Sequence, residues 1–156
     1  MGVDVETAKD GTTSRRMSAY LSSAVEITLV DDGHEHFLDA RYTVDGGGQT
    51  SAGDRALAYL TFDDGEVVKL TAIAPPYASL DTHSATGALL ETTYRARFPL
   101  PSTIAGRVTS TPIRAMRLGT PERMWSFETK PGWANELVAK SRCVIPGSTP
   151  VQSASR

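Results

Sequence analysis

The stretch YLTFDDGEVVKL, residues 59–70, decides how this chain is read. An apolar run enters Asp63-Asp64-Gly65 and a second apolar run leaves it, which is the signature of a β-hairpin. A two-residue turn at Asp64-Gly65 would set Asp63 against Glu66, a like-charge pair that weakens the ladder. A type I turn over Asp63 and Asp64, with Gly65 left-handed in a G1 bulge, sets Phe62 against Glu66 instead. Ala58, Leu60, Phe62, Val68 and Leu70 then share one face, so the bulged register is the expected one.

The stretch ITLVDDGHEHFL, residues 27–38, repeats the design. The same register pairs Val30 with His34, Thr28 with His36 and Ile27 with Phe37. Val25, Ile27, Leu29 and Phe37 form its inner face, and His34 and His36 fall on the outer face beside Glu26 and Thr28. Upstream, apolar or small residues recur at every second position from Ala19 to Leu29, which reads as one half-buried strand. Downstream, LLETTYRARFPL (89–100) alternates again, with Leu90, Thr92, Tyr94, Ala96 and Phe98 inside and Thr93, Arg95 and Arg97 outside. Pro99 and Pro101 end that strand, and Ser102 suits the cap of a short helical turn through Val108. PIRAMRL (112–118) and RMWSFET (123–129) read as two further strands.

Pro131-Gly132 opens the one convincing helix, WANELVAKSR (133–142), whose Trp133, Leu137 and Ser141 make an apolar stripe with Ala134 and Val138. Trp133 and Leu137 are the expected buried anchors, and Cys143, just past the stripe, is expected to be buried rather than reactive. The fold expected is mainly β: an antiparallel β-sandwich or half-barrel of about seven strands, with one C-terminal amphipathic helix packed on it. The polar, aperiodic residues 1–16 and 146–156 are read as disordered tails, and 17–145 as a single β-rich domain.

The length, 156 residues, suits one domain, and 40% hydrophobic with 22% charged residues is ordinary for a globular protein. No apolar run approaches the roughly 20 residues that span a bilayer, and residues 1–18 lack the apolar core of a secretory signal. Cytoplasmic residence and no membrane association are therefore expected. One cysteine excludes an intramolecular disulfide and a cysteine-rich zinc site. Charge is segregated: residues 1–90 carry fourteen acids and six bases (−8), and residues 91–156 carry four acids and ten bases (+6). Strands from the two halves lying side by side would neutralise each other.

The candidate sites are few. His34 and His36, at i and i+2 on a strand, can reach one ion, with Glu26 as a carboxylate ligand; a polar hairpin tip explains them as well. Asp81, His83 and Ser84 cannot converge as a triad from neighbouring positions, and turn chemistry accounts for them. DGGGQ (45–49) lacks the Gly-Lys-Ser/Thr and strand-to-helix setting of a phosphate loop. Arg95, Arg97, Arg114 and Arg117 suit bidentate contact with carboxylates or phosphates of a protein or other anionic partner. A pI near 5.9 and few lysines speak against nucleic acid. No constellation calls for a cofactor. The expectation is a non-enzymatic protein-binding or assembly module, engaging an acidic partner or its own copy. Its rivals are a metal-dependent enzyme using His34 and His36, and a small-ligand carrier holding its ligand between the sheet and the C-terminal helix.

Overall fold

The computed structural model describes residues 3–46, 54–82 and 90–145. Two antiparallel sheets face each other. The larger contains β1 (Val3–Thr7), β2 (Thr13–Ser22), β3 (Val25–Asp31), β4 (His36–Asp45), β7 (Tyr77–Thr82) and β8 (Leu90–Leu100), in the order β1-β2-β3-β4-β8-β7. The smaller contains β5 (Leu57–Phe62), β6 (Val67–Thr71), β9 (Ile113–Gly119) and β10 (Met124–Glu128), in the order β10-β9-β5-β6. Helix α1 (Ser102–Val108) follows β8, and α2 (Pro131–Ser141) follows β10. The chain is thus an antiparallel β-sandwich with a C-terminal helix, as the alternation predicts, but with more strands than expected.

The β5–β6 hairpin has the bulged register. The Phe62 amide donates to the Glu66 carbonyl at 2.9 Å, the Gly65 amide to the Phe62 carbonyl at 2.9 Å, and Gly65 takes φ 90°. Ala58, Leu60, Phe62 and Leu70 are buried on one face.

The β3–β4 hairpin corrects the expectation. Val30 pairs with Phe37 and Asp31 with His36, around a four-residue loop. Two aspartates hold that loop open. Asp31 accepts the Gly33 amide at 2.9 Å, and Asp32 accepts the amides of His34 at 2.8 Å and Glu35 at 2.7 Å. The decisive term lies further along the strand. This register turns Leu38, Ala40 and Tyr42 inward, where all three are buried, and leaves Phe37 outside. Each large apolar side chain gains about 1.5–3 kcal/mol on full burial, so Leu38 and Tyr42 together outweigh Phe37. Gly33 is also packed closely: a Cβ there would meet the Thr12 methyl at 2.5 Å.

The N-terminus is a second correction. Residues 3–7 and 13–16 are not a tail but strand: Val3–Thr7 pairs with Thr13–Met17 through a turn closed by the Ala8 amide donating to the Thr12 carbonyl at 2.8 Å. Backbone pairing and the inward contact of Val3 with the core hold a segment whose side chains are otherwise polar or exposed. The run from Ala19 to Leu29 is likewise two strands. A turn at Ser23-Ala24 and a bulge between Tyr20 and Ser22 keep the inward alternation in step across it.

The core lies between the sheets. Tyr42 and Tyr94 stack at 5.3 Å, and Trp125 of the smaller sheet closes on Tyr94 at 5.1 Å. Burial pushes the Tyr42 phenol pKa upward, so it stays neutral. Helix α2 is pinned where the Lys130 amide donates to the Leu21 carbonyl at 2.9 Å, and it buries Ala134, Leu137 and Ser141. Trp133 is not an anchor: it is 36% exposed, with the Lys130 ammonium 4.4 Å from its ring centre. Cys143 is exposed, and Val144 and Ile145 take the buried positions beyond it. Among the described residues no helix is long and apolar enough to cross a membrane. Residues 146–156 lie outside the described part.

Candidate functional site

The outer face of the larger sheet gathers most of the chemistry. Side chains of one strand face repeat every second residue, and neighbouring strands lie about 4.8 Å apart, so the pairing builds rows across the sheet. Tyr20, Glu26, Arg41, Arg95 and Tyr77 stand side by side in one such row. The row above it holds Ser18, Thr28, Asp39 and Arg97, and the next holds Arg16, Val30, Phe37 and Pro99.

Most charges in these rows are matched. The Arg97 guanidinium forks onto Asp39, donating from Nε at 2.7 Å and from Nη2 at 2.8 Å, and lies 4.9 Å from the Phe37 ring centre. Asp39 raises the Arg97 pKa further, so that residue stays charged. Arg41 donates from Nε to Glu26 at 3.1 Å and from Nη2 to the Tyr20 hydroxyl at 3.0 Å. These contacts join β8 to β4 and β4 to β3, and Arg97 with Asp39 meets the expectation that the basic half neutralises the acidic half. Arg95 differs. It is exposed, makes no ion pair or hydrogen bond among the described residues, and stands directly opposite Arg41. A like-charged neighbour on one side and Tyr77 on the other leave its guanidinium open to an external anion.

The surface is hollowed on both sides of Arg95 and Arg97. One hollow of about 330 Å³ is lined by Glu26, Thr28, Asp39 and Arg41 with the two arginines. Another, of about 290 Å³, runs from Arg95 and Arg97 to Tyr77, Phe37 and the 72–75 segment. Tyr77 is 67% exposed and Ile73 83% exposed beside it.

The four arginines singled out from sequence do not form one surface. Arg95 and Arg97 belong to β8, whereas Arg114 and Arg117 belong to β9 in the other sheet. Arg117 lies over the Tyr59 ring at 5.2 Å, and Arg114 is exposed at a bulge. Tyr20, Tyr77, Phe37, Asp39 and Arg41 were missed. For the last three the signal was the alternation of β4 itself, which places Phe37, Asp39 and Arg41 outside once Leu38 is placed inside.

The residues proposed for a metal are dispersed. His34 sits in the loop beyond β3. His36 is on the inward side at the sheet's end, its Nε2 3.8 Å from Asp31, with Arg15 3.8 Å from the other Asp31 oxygen. Glu26 is on the outer face, held by Arg41. Among the described residues no group of three or more His, Cys, Asp or Glu is placed to hold a metal ion. His83 and Ser84, the Asp81 side chain, and most of the 45–49 loop lie outside the described residues.

Comparison with protein families, with characterised proteins and with solved structures returned no significant match.

Proposed function

We propose that this protein is a non-enzymatic binding or assembly module that engages an acidic protein surface through the outer face of its larger sheet. The observation that carries the reading is the row Tyr20-Glu26-Arg41-Arg95-Tyr77, in which an arginine unpaired among the described residues stands between a matched ion pair and an exposed tyrosine. Tyrosine and arginine dominate the energetics of protein interfaces, because each offers a large, stiff surface with a polar end. The matched pairs around Arg95 hold the face in shape before a partner arrives, which lowers the ordering cost of association.

Site-specific photocrosslinking tests this. A crosslinker at Tyr20 or Thr93 on the outer face, in cells that make the protein, is expected to capture a defined partner or a second copy. The capture should be lost with Arg95→Glu. A crosslinker at Lys69, on the smaller sheet, is the control. Equal capture from all three positions, or capture indifferent to Arg95→Glu, would remove the reading.

A further inference from the structure

We infer that the hollow beside Arg95 receives the free C-terminal residue of a partner chain, with a large apolar side chain in the hollow and its α-carboxylate on Arg95. The inference rests on the protein-binding reading and specifies what that face recognises.

The hollow's lining is apolar apart from its arginine rim and the Tyr77 hydroxyl. Phe37, Ile73, Pro75, Tyr77 and Pro99 supply most of it, and among the described residues no acidic one takes part. The charges at its rim are Arg95 and Arg97, of which Arg97 is already engaged by Asp39 in a two-bond fork. Among the described residues nothing engages the Arg95 donors, and a carboxylate matches the planar guanidinium with two parallel bonds. Tyr77, the cross-strand neighbour of Arg95, lines the same hollow.

Size and continuity select the occupant. A cavity of about 150 Å³ holds a benzene ring. A hollow of about 290 Å³ therefore takes one large side chain with its terminal carboxylate, and sits at the lower limit for larger ligands. The second hollow shares Arg95, Ala96 and Arg97 with it and extends toward Glu26. A chain ending in the apolar hollow has that groove for its preceding residues, which a small free acid would leave empty. The 72–75 wall is also held in place. The Ala56 amide donates to the Ala74 carbonyl at 3.1 Å, and the Ala72 amide to the Ala56 carbonyl at 3.0 Å. The hollow therefore exists before any ligand enters.

Fluorescence polarisation with dye-labelled Gly-Ser-Gly-Ser-Phe tests the assignment on the full chain. The free acid is expected to bind at least tenfold more tightly than its C-terminal amide, than the same peptide ending in Gly, and than 3-phenylpropionate. Arg95→Gln should remove the preference for acid over amide, and Ile73→Asp the preference for Phe over Gly. Both positions are exposed, and unchanged melting confirms that each variant folds. Equal affinity for acid and amide, or no binding up to millimolar peptide, overturns the inference. Equal affinity for 3-phenylpropionate overturns it in favour of a small carboxylic acid. Loss of peptide binding alongside intact crosslinking from Tyr20 sinks this inference alone. Peptide binding without face-specific crosslinking sinks the broader reading and leaves the chain-end site standing.

Discussion

Turn aspartates set two hairpins of this protein, and their titration is expected to show. Asp64 accepts the Glu66 amide at 3.0 Å and an Arg107 bond at 2.5 Å, and these hold its carboxyl below the ordinary value. The His34 and Glu35 amides do the same for Asp32. A depressed carboxyl stabilises the fold above its unfolded pKa of about 4, and that contribution is lost as pH falls through the folded value. Asp64 is solvent-exposed and Asp32 partly so, and each effect is modest. Asp64→Asn should therefore lower the melting temperature near pH 6, and its difference from the parent should close as the pH approaches 2. A difference that widens on acidification would reverse the assignment. The histidines are expected to matter less. His34→Ala, in the exposed loop, should change stability by about 0.5 kcal/mol or less, and adding His36→Ala should cost somewhat more, because His36 is half-buried 3.8 Å from Asp31. Added zinc should leave the melting temperature of the parent unchanged, and a metal-dependent rise abolished in the double variant would restore the metal reading.

At the level of elements, the helix gives the sharpest test. Leu137 is buried in α2 and Trp133 is half out of it, so Leu137→Ala should cost about 2–5 kcal/mol and Trp133→Ala distinctly less. Denaturant melts of the two variants compare them directly, and the reverse order would mean the helix is rotated. Elements with a strong apolar period were legible in the sequence. The β5–β6 register followed from Asp63 and Glu66 repelling, and the α2 span from Pro131 and the stripe around Leu137. The β3–β4 register did not follow, because the same Asp-Asp-Gly motif supports two loops. The choice is made beyond the motif, four to nine residues after Gly33, by Tyr42 and Leu38 competing with Phe37 for the core. Strand β1 was illegible for another reason. Its stability comes from backbone pairing with β2, and the Asp10-Gly11 turn between Val3-x-Val5-x-Thr7 and Thr13 was its only clear mark.

For the whole molecule, charge segregation resolves into geometry. The acidic and basic halves meet where Arg97 reaches Asp39 and where Arg107 reaches Asp64 and Glu66. That neutralisation was legible from the counts of acids and bases. Which arginine stays free among the described residues was not, because it depends on partners 40 or more residues away in sequence, brought together only by the fold. The split of Arg95 and Arg97 from Arg114 and Arg117 has the same cause, since β8 and β9 enter different sheets across α1. Two sheets make two outer faces, and the proposed binding belongs to one of them. Arginine footprinting with a dicarbonyl reagent, read by mass spectrometry, measures both faces at once. In the isolated protein Arg95, Arg114 and Arg117 should all be modified. In cells that make the protein, Arg95 is expected to become protected while Arg114 and Arg117 stay reactive. Protection of Arg114 and Arg117 with Arg95 still reactive, or no protection anywhere, would contradict the proposal.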